Sequence, residues 1–279
     1  MKRTSVKEAA MDLILFCGQS NMQGQTECLT ECLPVEGGWE YRFLEDALVP
    51  LKNPVGENIR FDLSCGYPPF EGSAGLETWL NEHAMGSACY GNTNLVPEFC
   101  RAYIRETGKS VAAISAAKGS TCVEQWIPGT GAYEVLKTKM LAALRKVGEI
   151  QEPGHIYAVW LQGESDAIAG TEKEIYKQRL TCLKDALKAD VGLERFCIIR
   201  VGHFTNDQRD LKIMTAQDEI CMEDSDFLML TRITTELNEQ PEYMNPYVAG
   251  HYSARGMELL GKTAGKALGR ETANRNIRG

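Results

Sequence analysis

Basic residues are the minority in this chain: 30 Lys and Arg stand against 38 Asp and Glu, a formal net charge of -8. A nucleic-acid or anionic-membrane partner selects a basic face, so the balance argues against both. Long apolar runs are also missing. Near the start the longest is six residues, Leu13 to Gly18, far below the roughly 18 to 20 that a spanning helix requires. Cleavage after that run, as in a signal peptide opened by the basic Met1-Lys2-Arg3, would remove the strand itself. A cytoplasmic location is therefore expected. No CxxC pair and no HxxxH accompanies the ten cysteines. Cys28 and Cys32 alone make a poor metal site, and the thiols read as reduced. No metal and no cofactor is expected. No internal repeat or low-complexity segment interrupts the chain.

What is present is a soluble-protein composition, 43% hydrophobic and 24% charged over 279 residues, enough for one large core. One domain over 1-279 is expected, with an irregular insertion at about 53-92 whose Gly, Pro, Asn and Ser surround Phe61, Tyr67, Phe70 and Trp79. Apolar runs at Leu13 to Cys17, Val111 to Ala116, Ile156 to Leu161, Phe196 to Val201 and Phe227 to Leu230 read as buried strands. Glu40 to Leu51 reads as one more, ending at Pro50.

Between them lie helical stripes: Val96, Phe99 and Tyr103 before Gly108; Tyr133, Leu136, Met140, Leu144 and Val147 before Gly148; Tyr176, Leu180, Leu183 and Leu187; a weaker one from Leu211 to Cys221; and Met257, Leu260, Ala264 and Leu268. Strands alternating with helices predict an α/β fold, a parallel sheet covered on both faces. The polar tail after Gly269 is expected to fray.

Polar motifs gather just after the strands. Gly18-Gln19-Ser20-Asn21 follows the first, Lys118-Gly119-Ser120-Thr121 the one ending at Ala116, Gln162-Gly163-Glu164-Ser165-Asp166 the next, and Gly202-His203-Phe204-Thr205 the one after. In a parallel sheet these turns share one edge, where ligands bind. Taken alone, Ser20 reads as a helix N-cap before it reads as a nucleophile. A serine nucleophile needs an imidazole base and donors for the oxyanion.

Of the four histidines, His83 falls in the insertion and His155 at the wrong end of a strand. His251, in a loop ahead of the last helix, is the preferred base. His203 is left as a capping, substrate-facing or plain loop residue. The backbone N-H groups of Ser20 and Gly119 and the side-chain amide of Gln162 are the expected oxyanion hole.

These blocks, Gly18-Gln19-Ser20-Asn21-Met22 with Gly24, Ala117-Lys118-Gly119-Ser120-Thr121 ahead of Trp126, Gln162-Gly163-Glu164-Ser165-Asp166, and His251-Tyr252-Ser253 with Gly256, resemble in order the sialate O-acetylesterase and acetyl xylan esterase branch (carbohydrate esterase family 6-like) of the SGNH hydrolases. The resemblance implies a flavodoxin-like three-layer α/β/α sheet. It also implies metal-free removal of acetyl groups from a small-molecule acetylated sugar, sialic acid or xylo-oligosaccharide in type, through an acyl-serine.

Two positions depart from that branch: Ser120 stands where a second glycine is frequent, and Val248 where an aspartate precedes the histidine by three. The resemblance then points to Glu164 as the acid that orients His251, with Asp166 and Glu242 in reserve; Asp166 also reads as a helix cap. A backbone carbonyl in place of any acid is the further alternative. Gln19, Asn21, Ser120, Trp126 and Tyr252 are expected to contact substrate. Two other readings stay open: a non-catalytic carbohydrate-binding protein on a decayed esterase fold, and an esterase or lysophospholipase of other acyl chains.

Overall fold

The computed structural model describes residues 10-26, 32-56, 93-246 and 248-278, with side chains to residue 275. Cys28, His83, the opening basic residues and nearly all of the expected insertion lie outside the described residues.

The apolar runs become strands that build one seven-stranded sheet in the order β3-β2-β4-β1-β5-β6-β7. Its members are β1 (Met11–Gly18), β2 (Gly38–Arg42), β3 (Ala47–Pro50), β4 (Val111–Ala117), β5 (Pro153–Leu161), β6 (Arg195–Ile199) and β7 (Phe227–Thr231). All neighbours run parallel except the β2-β3 pair, which is antiparallel. The single strand expected over Glu40 to Leu51 is thus a hairpin. Its turn reaches Asp46, which holds a left-handed φ of 45°, an uncommon conformation for a residue other than glycine.

Strand β1 shows why the sheet is buried on both sides. Leu13, Leu15 and Cys17 enter one apolar cluster with the helices Gly131–Gly148, Lys173–Val191 and Arg209–Glu223. Ile14 and Phe16 enter the other, with the helices Val96–Thr107 and Ala254–Arg278. Successive side chains of a strand point to opposite faces, so an unbroken apolar run needs two covering layers. The result is a three-layer α/β/α sandwich.

The two helices of the second layer pack at backbone distance. A Cβ on Gly265 would lie 2.1 Å from the Phe99 carbonyl oxygen, and one on Gly261 2.4 Å from that of Leu95. Gly269, expected to precede a frayed tail, is part of the same seam, and the helix runs on to Arg278.

With β4 on one flank of β1 and β5 on the other, the chain reverses its direction of strand addition at β1. Such a switch point opens a crevice at the carboxyl end of the strands. The turns after β1, β4 and β5 all meet there.

Candidate active site

The turn after β1 is shaped by glycine. Gly18 holds φ 136°, and a Cβ there would sit 2.1 Å from the Leu161 carbonyl oxygen of β5. Only glycine lets the chain leave β1 this close to its neighbour. Gln19 then donates its N-H to the same Leu161 oxygen at 3.1 Å, and its side-chain oxygen accepts the Ser165 N-H at 3.1 Å. Gln19 is buried and ties two strand ends together. A single helical turn, Ser20–Gln23, follows. Gln19 takes its capping position, and the Ser20 hydroxyl is free for another partner.

That partner is His251, whose Nε2 lies 2.8 Å from Ser20 Oγ. On its other side, His251 Nδ1 lies 2.9 Å from the Ala249 carbonyl oxygen. A carbonyl can only accept, so Nδ1 carries the ring proton and Nε2 is left to accept from the serine hydroxyl. This is the tautomer of a general base. Burial pushes the His251 pKa below its ordinary value, against smaller upward effects from the Ala249 and Val248 backbone, which favours the neutral ring.

The loop that carries His251 is itself pinned. His251 donates its N-H to the Val248 oxygen and accepts through its own carbonyl from the Asn245 N-H at 2.7 Å. Met244 and Tyr252 form an antiparallel bridge. The Phe204 ring meets the imidazole edge to face at 6.2 Å.

Glu164 does not occupy the place at Nδ1. Its Oε1 accepts from Asn21 Nδ2 at 2.8 Å, while Oε2 is buried without a hydrogen-bond partner among the described residues. Burial pushes the Glu164 pKa up, opposed by the Asn21 hydrogen bond. The reserves do not reach Nδ1 either. Asp166 accepts from the Val123 N-H, Gln162 and Thr171, which fixes the turn after β4 against that after β5. Glu242 is exposed, and it is its backbone oxygen that takes the Ser253 hydroxyl. It is the Ala249 carbonyl that stands at Nδ1.

Of the expected oxyanion donors, Gly119 lies beside Ser20. A Cβ built on it would lie 3.4 Å from Ser20 Cβ. Its N-H is held at 2.9 Å by Gln23 Oε1, a contact the sequence did not suggest. Gln162 is a correction. Its side chain is fully buried, and its amide donates to the Thr121 oxygen at 2.9 Å and to Asp166, so no hydrogen is left for a ligand.

The expected substrate contacts divide in the same way. Trp126 is buried edge to face against Trp160, with its Nε1 donating to Thr121, and Tyr252 is buried in the second core layer. Both rings are buried, so neither presents a stacking face at the surface. Ser120 is exposed beside Gly119 in a left-handed conformation, φ 60°, which accounts for a glycine preference at this position. His203 is exposed and is held by its backbone N-H to Asn238. His155 pairs with Glu194 at the start of β5, away from this edge.

Among the described residues there is no group of three or more His, Cys, Asp or Glu placed to hold a metal ion. No helix among them is long and apolar enough to cross a membrane.

Several known proteins share this architecture. A protein from Arabidopsis thaliana superposes with a TM-score of 0.61 at 14% identity, covering 96% of this chain and 99% of its own. NanS superposes at 0.59 with 12% identity, over 98% and 99%. A carbohydrate acetylesterase from Xanthomonas citri reaches 0.49 at 14% identity, over 95% of this chain and 57% of its own. At these identities the likeness is one of fold. No curated protein matches the sequence.

The family described as carbohydrate esterase, sialic acid-specific acetylesterase, matches residues 81–268. That span includes Gly119, Glu164 and His251 and begins beyond the Ser20 turn. With more than half of its length matched, this chain belongs to the sialic acid-specific acetylesterase family of carbohydrate esterases.

Proposed function

We propose that the protein is a serine esterase that removes O-acetyl groups from a carbohydrate through an acyl-serine intermediate. The observation that carries this reading is the 2.8 Å contact between Ser20 Oγ and the unprotonated Nε2 of His251 at the carboxyl edge of the sheet. His251 takes the serine proton as Oγ attacks the acetyl carbonyl. The backbone N-H groups of Ser20 and Gly119 receive the oxyanion. Collapse of the tetrahedral intermediate expels the sugar alkoxide, which takes the proton from His251. Water, deprotonated by the same imidazole, then releases acetate and restores Ser20. The Ala249 carbonyl holds the base in its working tautomer, and among the described residues no carboxylate is hydrogen-bonded to the ring.

The family description supports an acetylated sialic acid or a related sugar as substrate class. Purified protein is expected to hydrolyse a small aryl acetate, and Ser20→Ala and His251→Ala are each expected to lower kcat by about 10³-fold or more. Released acetate from acetylated sialic acid, xylo-oligosaccharide and acetylated hexose then ranks the sugars. A fully active Ser20→Ala protein overturns the reading. Sugar binding without any labelling of Ser20 by a fluorophosphonate points instead to a non-catalytic binding protein.

A further inference from the structure

We infer that Asn21 is a positioning residue that locks the nucleophile turn to the loop carrying the base, and that Glu164 acts on His251 through Asn21 and not by touching the ring. The inference rests on the serine-esterase reading of Ser20 and His251.

Asn21 follows Ser20 in the chain and is buried, so it has no surface to offer a substrate. Its amide is spent within the protein. Nδ2 donates to Glu164 Oε1 at 2.8 Å and to the Gly250 carbonyl oxygen at 3.1 Å, and Oδ1 accepts the Tyr252 N-H at 3.3 Å. Gly250 and Tyr252 flank His251 on either side. One side chain therefore clamps the base from both neighbours and is itself covalently next to the nucleophile. Of the side chains of this length, only asparagine supplies two donors and an acceptor in one plane.

Glu164 completes the clamp. Its one satisfied oxygen receives the Asn21 hydrogen, which fixes the amide plane so that the second Nδ2 hydrogen points at Gly250. A carboxylate in direct contact with the imidazole would stand at Nδ1, and the Ala249 oxygen is there. The two roles separate on one substitution. In Glu164→Gln the amide oxygen can still accept from Asn21, so a strut survives; a carboxylate stabilising the imidazolium would be lost by the same change. Asn21→Asp keeps the acceptor for Tyr252 but sets two acceptors face to face at Glu164 and removes the donor to Gly250.

The test is kcat and KM for aryl acetate hydrolysis, with fluorophosphonate labelling rates, for Asn21→Ala, Asn21→Asp, Glu164→Gln and Glu164→Ala. A displacement of about 1 Å at a reacting group is worth about 10²-fold. Both Asn21 variants are accordingly expected to lose about 50-fold or more in kcat and in labelling, with KM within about threefold. Glu164→Gln should lose about tenfold or less, and Glu164→Ala should fall with the Asn21 variants.

Full kcat in Asn21→Ala overturns the inference. So does a loss carried by KM, which would make Asn21 a substrate contact. A loss of about 10³-fold in Glu164→Gln would make Glu164 a direct partner of the ring and overturns it as well. If the Asn21 variants do not fold, the Glu164→Gln against Glu164→Ala comparison decides alone. Ser20→Ala with full activity removes the esterase reading itself, an outcome distinct from all of these.

Discussion

At the scale of single residues, the contact that most constrains reactivity is Gln23 Oε1 on the Gly119 N-H at 2.9 Å. That N-H is one of the donors assigned to the oxyanion, so a side-chain carbonyl stands where substrate oxygen would be received. Substrate has to displace it, and a net hydrogen bond of this kind is worth about 1 kcal/mol, or about fivefold in binding. Gln23→Met keeps the volume and removes the acceptor. It is expected to tighten inhibition by a small alkylboronic acid, which forms a tetrahedral adduct on serine, by about three- to tenfold, on the same hydrogen-bond scale. Unchanged or weaker inhibition would mean that Gln23 orients the Gly119 peptide and does not compete for it. Neither this contact nor the Ala249 carbonyl carries a residue-type signal. A glutamine two positions from a polar turn and a main-chain oxygen look like any others until the fold brings them to the site. Trp126 and Tyr252 fail in the opposite sense: their type suggests a sugar platform, and their burial makes them core.

At the scale of elements, the parts legible in the sequence are those fixed by local periodicity. The run Leu13 to Cys17 and the stripe Tyr176, Leu180, Leu183 and Leu187 each name a strand or helix, because burial on two faces or on one leaves a distinct apolar pattern. The β2-β3 hairpin was not legible, since its turn through Phe43 to Asp46 holds neither glycine nor proline. Nor was the seam between Val96–Thr107 and Ala254–Arg278, where glycine spacing marks close approach and not the end of a helix. Gly265→Ala places its methyl 2.1 Å from the Phe99 carbonyl oxygen, a backbone atom that cannot swing aside. Overpacking of this kind costs about 1–3 kcal/mol, which for a chain of this size lowers Tm by about 2–4 °C per kcal/mol. Gly148→Ala is the control. Nothing lies within 4 Å of its Cβ position at the end of an exposed helical turn, and loss of glycine entropy there is expected to stabilise by up to about 1 kcal/mol. Thermal unfolding of the two variants beside the parent checks both signs, and an unchanged Gly265→Ala protein would show that the helices separate without cost.

At the scale of the whole molecule, the sheet edge is held against its own stability. Burial drives His251 toward its neutral form and Glu164 toward its protonated form, so the charged states of both are disfavoured by the fold that assembles them. The remaining charge is arranged conventionally, with Glu219, Asp224 and Asp226 lowered in surface pairs with lysines. Glu164 differs from these three, because it is buried and one of its oxygens has no hydrogen-bond partner among the described residues. The consequence for pH follows from linkage. Its folded pKa is raised above the unfolded value near 4.5. As pH rises past 4.5 the unfolded chain gives up this proton first, the folded chain binds more protons than the unfolded one, and stability falls until the folded pKa is passed. Glu164→Gln cannot ionise and escapes that fall. The variant and the parent are therefore expected to lie closest in stability near pH 4, with the advantage of Glu164→Gln opening as pH rises and constant once the folded pKa is exceeded. Urea unfolding of both proteins at a series of pH values measures this gap; a gap constant from acid to alkaline pH would mean that the fold leaves the Glu164 pKa unshifted, and one that closes as pH rises would mean that Glu164 is held in the fold as a stabilised carboxylate.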